Sequence, residues 1–517
     1  MRKFTIVSLL FMLLLSSTSF ALDKIYDWYT DQDTANKADI TYISVKQFGP
    51  TGTADDSITI QKGIDYCSAN NKILWFPNDV IYRGRNLLLK SNITIDSNFA
   101  TIKTTDQKWV NGQLGDLFHG DTAGINNVRI TNLIIDGNSS VLARDSDIGT
   151  KNGIRLMELW NATNIILDNV TFQNNIHVAL HFYNVDTAYI TNCKFLQTDC
   201  GVETQSTTCK NLYIENCIFD SHDNSEPISI YLDAGSAVAD NIHIKGNLIQ
   251  NKLGGNGILI GRDVTKTTDV YRNIFIQNNI IRKCATGIYI TKGKRIIVAD
   301  NNINAYRGLV IRELCSDVIV HDNNFFGYVD DSISISLQLG ILCQGDNCTI
   351  TDNTFSNMLA SGKLGIKAYN TQTAALDATE KINAFTMDIS GDFNLVKGNR
   401  ARQDNLEYIY HTIVISGANN EIELLDYFRN SAFNKQFSAD KTNVILGAYY
   451  SLAGDSYAYV ASTACKNNFI KYMGRNPYVV NGLKDGITKG IGTNKLWDII
   501  NATDLKINQT VPGGVYN

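Results

Sequence analysis

An all-β solenoid of stacked parallel coils is the fold class that the sequence predicts, on three observations. A unit of the form Ile-x-Ile-x-x-Asn-x-Ile, a short turn and Thr-Gly-Ile-x-Ile fills residues 271–304 and recurs in variant form from Asn127 to about Asn370. A fixed-period repeat decides the architecture before any local propensity does. Successive Gly-Ile positions lie 28 residues apart from Ser229 to Gly257 and 30 apart from Gly257 to Gly287, too short for a unit with a long crossover helix and ample for three short strands and three turns. The 38 Gly against 5 Pro, with abundant Asn, Ile, Val, Thr and Tyr, suit many strands joined by tight turns.

In chain order, Met1 to Lys3 form a basic start, Phe4 to Leu15 an apolar run and Ser19-Phe20-Ala21 a small-x-Ala cleavage site. This reads as a secretory signal peptide over residues 1–21, its apolar run too short for a membrane span. The mature protein is expected to be exported, periplasmic or extracellular, with no membrane span. With 44% hydrophobic residues, 19% charged residues and a net charge of −5, the composition fits a large core and argues against a nucleic-acid partner. The 10 Cys permit disulfides in an exported chain, although no C-x-x-C metal spacing occurs.

Residues 22–126 read as a leader, a capping helix and the first coils. Asp56 or Ser57 is placed to cap a helix with apolar positions Ile58, Ile60, Ile64 and Cys67, followed by a strand at Ile73 to Phe76 that Pro77 stops. A helix ahead of a repeat stack covers its open apolar end. Val45, Phe48, Gly49, Gly52, Asp55, Asp56, Ser57, Ile60, Gln61, Ile64 and Asp65 carry a resemblance to the N-terminal signature of the pectate-lyase superfamily, in its rhamnogalacturonase/epimerase-like branch. The resemblance implies a single-stranded right-handed parallel β-helix, here of about ten or more coils, and a saccharide cleft on the outward face of the first sheet. It does not select a reaction, because that superfamily holds lyases, hydrolases, epimerases and non-catalytic members.

The regular β-helix is assigned to residues 127–370, and the final irregular coils with a C-terminal cap to 371–517. One corner column reads Leu133, Val170, Cys193, Cys217, Asn247, Asn279, Asn301, Asn323, Asn353 and Asn399. An Asn repeated at a corner can bond the next coil's backbone and its own stacked neighbour. Cys193 and Cys217 would sit one coil apart, roughly 5 Å, as stacked thiols or as a disulfide.

In Gly-Ile-x-Ile-x the second and fourth residues point inward and the third and fifth outward. Outward columns then run Arg155, His181, Glu203, Tyr231, Leu259, Tyr289, Val310, Leu342, Lys367 and Met157, Tyr183, Gln205, Asp233, Gly261, Thr291, Arg312, Gln344, Tyr369. Ionisable and aromatic residues concentrate between Arg155 and Asp233. The candidate catalytic residues are His181, Glu203, Tyr231 and Asp233, and the candidate substrate-binding residues are Arg155, Tyr183, Arg262, Tyr289 and Arg312.

Two chemistries fit these residues. Glu203 and Asp233, roughly 8 Å apart by strand spacing, suit an acid and base for inverting hydrolysis. Alternatively, a base among His181, Glu203 and Tyr231 removes a proton α to a uronate carboxylate that Arg155, Arg262 or Arg312 neutralises. Tyr183, Tyr231 and Tyr289 suit stacking on sugar rings in either case. The polygalacturonase motif order is not matched, since Asn256 stands where that family has its His, and Asp199 reads as a turn residue. No metal ligands are assigned; Asp330-Asp331 and the His222-Asp223 loop read as polar turns, with a Ca²⁺ site on separate coils left open. The reading is an exported enzyme that cleaves an acidic, uronic-acid-containing polysaccharide by β-elimination or hydrolysis. The alternative is a non-catalytic β-helix that binds or assembles an exopolysaccharide. Oligomeric state is not legible.

Overall fold

A computed structural model of the chain describes residues 41–105, 116–139, 155–222, 226–233, 236–251, 255–261, 270–327, 338–356, 384–403, 412–415, 420–423, 426–429, 457–460, 469–471, 478–481 and 495–497. The expected signal peptide, Arg262, Asp223, Asp330-Asp331, Lys367 and Tyr369 lie outside the described residues.

The described strands pair in parallel with a strand one coil away, from Tyr42–Ser44 against Ile73–Phe76 to Phe469–Lys471 against Lys495–Trp497. Three inward ladders fill the core. One runs Phe118, Met157, Leu180, Val202, Ile228, Ile258, Ile288, Leu309, Ile341 and Met387. Another runs Ile130, Leu167, Ile190, Ile214, Ile244, Ile276, Val298 and Val320. The third, through Phe172, Phe195 and Phe219, stacks aromatic rings 5.0 and 4.6 Å apart. All belong to one buried apolar cluster, and removing that surface from water is the main driving force for the stack.

The corner column explains how the turns are satisfied. Asn247, Asn279, Asn301, Asn323 and Asn353 are buried, and each donates from its backbone N and from Nδ2 to Oδ1 of the next, the bonds spanning 2.9–3.0 Å up to Asn399. The residue before each corner has positive φ and is Asn, Asp or Gly throughout, for instance Asn278 at 56° and Asp300 at 57°, the residue types that tolerate the left-handed region. Cys193 and Cys217 lie in this column as buried free thiols, Cys193 donating to the carbonyls of Thr191 and Leu167 and Cys217 to those of Glu215 and Ile190, which resolves the two alternatives in favour of stacked thiols. Close approach between coils requires glycine at Gly287, where a Cβ would stand 2.5 Å from Ile303 Cγ2 and 2.6 Å from the Gly308 carbonyl.

The helix Ser57–Asn70 packs Ile60, Ile64 and Cys67 into the same cluster as the first strands. Two details differ from expectation. Ile58 is exposed, because the helix turns only one stripe inward. Asp56, the N-cap residue, makes no side-chain cap; its carboxylate instead accepts the backbone N–H groups of Gly52, Thr53 and Arg83, pinning the loop before the helix to the first coil.

Candidate functional site

Strand register decides which side chains share the outer face. Glu158 pairs His181, His181 pairs Glu203 and Glu203 pairs Ser229, followed by Leu259, Tyr289 and Val310. The expected column is therefore corrected twice. Glu158, not Arg155, stands beside His181, because Met157 is the inward anchor opposite Leu180 and the register is three residues later than Gly153-Ile154 suggests. Ser229, not Tyr231, follows Glu203, because Ile228 is the inward residue opposite Val202. Tyr231 lies two residues further along, and Arg155 pairs Asp116.

The structure brings His181, Glu203 and Asp233 together through two groups that the sequence reading did not assign to the site. His181 has 0% exposure. Its Nδ1 is 3.3 Å from Glu158 Oε1, its Nε2 3.1 Å from Gln205 Oε1 and 3.9 Å from Glu203 Oε2. Gln205 is oriented by Asp233, to which its Nε2 donates at 2.7 Å, and the Ser206 N–H donates to the other Asp233 oxygen at 3.0 Å. With its amide nitrogen held there, Gln205 offers its carbonyl oxygen to His181. Both ring nitrogens therefore face acceptors, and both contacts are hydrogen bonds when both nitrogens carry hydrogen.

Behind this chain lies an acid pair. Burial, a hydrogen bond to Glu158 and that group's negative charge push the Asp116 carboxyl up to about 8, against the opposing charge of Arg155. Burial would raise Glu158 too, but hydrogen bonds from His181 and Asp116 and the positive charges of Arg155 and His181 bring it down to about 2. One proton is thus shared across the two carboxyls and resides on Asp116. Arg155 is ion-paired to Glu158 with its side chain 12% exposed.

Aromatic rings cover the imidazole. Tyr183 meets His181 edge to face at 4.4 Å and stacks on Trp160 at 3.9 Å, with the Arg155 guanidinium 5.6 Å from the Tyr183 ring centre. Glu203 reaches solvent, its side chain 22% exposed. Tyr289 lies three strands beyond Glu203 in the same column, and Arg312 beside it is ion-paired to Glu313 at 2.9 Å, so neither joins the cluster. Asp199, expected in a turn, is buried within the strand Lys194–Glu215. Among the described residues no group of three His, Cys, Asp or Glu is placed to hold a metal ion, and no helix is long and apolar enough to cross a membrane.

Glu158 was legible in principle: reading Leu156-Met157-Glu158-Leu159 as the strand, with Met157 inward, places it outward. Asp116 lies in a segment where no repeat is visible, and only the register with Arg155 reveals it.

A family model described as right-handed β-helix region matches residues 228–372. No curated protein matches the chain. Among solved structures, the chain resembles PfbA, a surface adhesin of Streptococcus pneumoniae, at 14% identity over 83% of this chain and 91% of that one, with a TM-score of 0.39. It resembles a Yersinia enterocolitica family 28 exopolygalacturonase at 14% identity over 78% of each chain, TM-score 0.45. It also resembles the tailspike protein of E. coli bacteriophage HK620 in complex with a hexasaccharide, at 11% identity over 88% of this chain and 80% of that one, TM-score 0.49. The fold is a right-handed parallel β-helix.

Proposed function

We propose that this protein is an exported glycoside hydrolase whose site is the outer face of the coils from Asp116 to Asp233, with Glu203 and Asp233 as the acid and base. The observation that carries the reading is the chain from Glu203 and His181 through Gln205 to Asp233. It links one partly exposed carboxyl on the sheet face to one carboxylate just past the strand Ile228–Ile230, with both oxygens of the latter fixed by N–H donors. Two carboxyls held in one site are what glycosidic hydrolysis requires, one to protonate the leaving oxygen and one to activate water.

Elimination fits this geometry less well. His181 is covered, and both of its nitrogens are engaged, so it does not reach a substrate proton. Arg155 spends its charge on Glu158, and Arg312 on Glu313. In the proposed mechanism His181 positions: it holds Gln205, which holds Asp233. Trp160 and Tyr183 present the aromatic surface beside the carboxyls on which a pyranose ring can pack.

The test is a panel of neutral and uronic-acid polysaccharides followed by reducing ends and by absorbance at 235 nm, on the wild type and on Glu203→Gln and Asp233→Asn. New reducing ends without absorbance, lost in both variants, support hydrolysis. Absorbance growth would replace hydrolysis with elimination, and binding without any product would make the protein a non-catalytic glycan binder.

A further inference from the structure

The sheet that follows the site in each coil presents a second surface. From the left-handed residue that opens it to the corner residue that closes it the chain always takes six steps, as in Asn164 to Val170, Asn211 to Cys217, Asn273 to Asn279 and Asp317 to Asn323. Corner residues are 22 apart from Asn279 to Asn301 and 32 apart from Asn247 to Asn279, yet none of that difference falls here. The face is therefore even from coil to coil.

Down its middle runs an outward stripe in register, Tyr189, Tyr213, His243, Phe275, Ile297 and Ile319. The four rings stack face to face with centres 4.7–4.8 Å apart, so their edges, not their faces, meet solvent. The rings and Ile297 are half-buried, and Ile319 is 41% exposed. Three residues before the stripe stand Asp186, Lys210, Asp240, Arg272 and Lys294; two residues after it stand Thr191, Glu215, Lys245, Gln277 and Ala299. Asp240 is bridged to Arg272 at 2.7 Å, whereas Lys210 and Glu215 make no ion pair among the described residues. Burial raises the Glu215 carboxyl against the opposing charge of Lys245, a setting in which a further cation is favourable.

We infer that this face joins two copies of the chain about a two-fold axis parallel to the stack, stripe beside stripe. A two-fold interface buries the same patch of each copy, so the patch must complement itself. An axis along the stack keeps every coil level with its own copy and reverses the strand direction, so the column before one stripe meets the column after the other. The contacts are then Asp186 with Thr191, Lys210 with Glu215, Asp240 with Lys245, Arg272 with Gln277 and Lys294 with Ala299. Two are of opposite charge and none is of like charge, which favours this pairing over others. A second stack of the same pitch also matches the stripe's repeat coil after coil. From Ile166 to Ile319 the face spans roughly 29 Å by 17 Å, about 1,000 Å² from two copies before surface relief is counted, which is near the threshold for a specific interface. The candidate site lies on the preceding sheet of each coil and stays open in the pair.

The experiment is sedimentation velocity of the full chain from about 1 to 100 µM, on the parent, Ile319→Lys, Lys210→Glu, Glu215→Lys and the double variant Lys210→Glu/Glu215→Lys, with thermal melts to confirm folding. The expected result is a monomer–dimer equilibrium of roughly micromolar Kd. Each single substitution should weaken it about ten-fold, and the double variant should return it to within a few-fold of the parent, because the exchange recreates both contacts with the charges reversed. A parent that stays monomeric throughout, or that forms a trimer, overturns the inference. So does a dimer indifferent to Ile319→Lys and Lys210→Glu. Folded single variants that weaken the dimer with no recovery in the double variant overturn the two-fold arrangement.

Discussion

Nδ1 of His181 stands 3.3 Å from a carboxylate oxygen of Glu158 on the neighbouring strand, and the imidazole has no exposed surface. A buried ring with acceptors at both nitrogens depends on those acceptors more than an exposed histidine does.

Removing one acceptor tests that dependence. Glu158→Ala leaves His181, Asp116 and Arg155 without their common partner, and breaking a buried charged pair costs about 3–5 kcal/mol. The expected outcome is a fall of that order in unfolding free energy by urea titration, with Glu158→Gln losing less because it retains one acceptor oxygen.

Activity should separate the carboxyls from the tyrosine. Glu203→Gln and Asp233→Asn are expected to lower kcat by roughly 10²–10⁴. Gln205→Leu lowers it less, by releasing Asp233 from one of its two donors. Tyr231→Phe stays within a few-fold, because the chain from His181 through Gln205 to Asp233 does not run through Tyr231. Initial rates of reducing-end release distinguish these three classes.

The Asp116 carboxyl titrates near 8 in the folded chain and near 4 when unfolded. Between those values the folded state holds a proton that the unfolded state has released, so this group's contribution to stability falls as pH rises from about 4 to about 8. Glu158, lowered to about 2, contributes stability that is present above about 4.5 and lost as pH falls toward 2. Asp116→Asn keeps a donor for Glu158 and should flatten the decline between pH 4 and 8. Thermal melts across that range read the slope, and an unchanged slope would remove Asp116 as its source.

The asparagine ladder makes a prediction about the scaffold alone. Asn301 Oδ1 accepts the Asn279 backbone N and Nδ2, and Asn301 Nδ2 donates to the Ile276 carbonyl and to Asn323 Oδ1. Asn301→Leu strands several buried polar groups, each costing about 1–3 kcal/mol, so a total loss of about 3–5 kcal/mol or failure to fold is expected in denaturant melts. The exposed Asn278→Gly beside it, which keeps the left-handed turn, should cost little.

The coil corners were legible residue by residue. Asn247 through Asn353 repeat at one position, and a buried amide has few ways to be satisfied other than by its stacked neighbours. Ile258, Ile288 and Leu309 likewise follow Gly at a spacing that strand alternation turns directly into an inward ladder. The placement of Arg155 and Tyr231 was not legible, because coil length varies and a slip of two or three residues leaves the apolar pattern plausible while changing which residue faces His181.

What the sequence by itself determined is the repeat, and with it the stack of parallel coils, the polar corner and the segment where ionisable residues gather. These follow from local rules, periodicity and the residue types that a left-handed turn or a buried corner accepts. What only the tertiary structure decided is the partnership of Asp116 with Glu158 and of Gln205 with Asp233. Those pairs lie 42 and 28 residues apart, and they meet because hydrogen bonding between coils sets the register, which no single coil encodes.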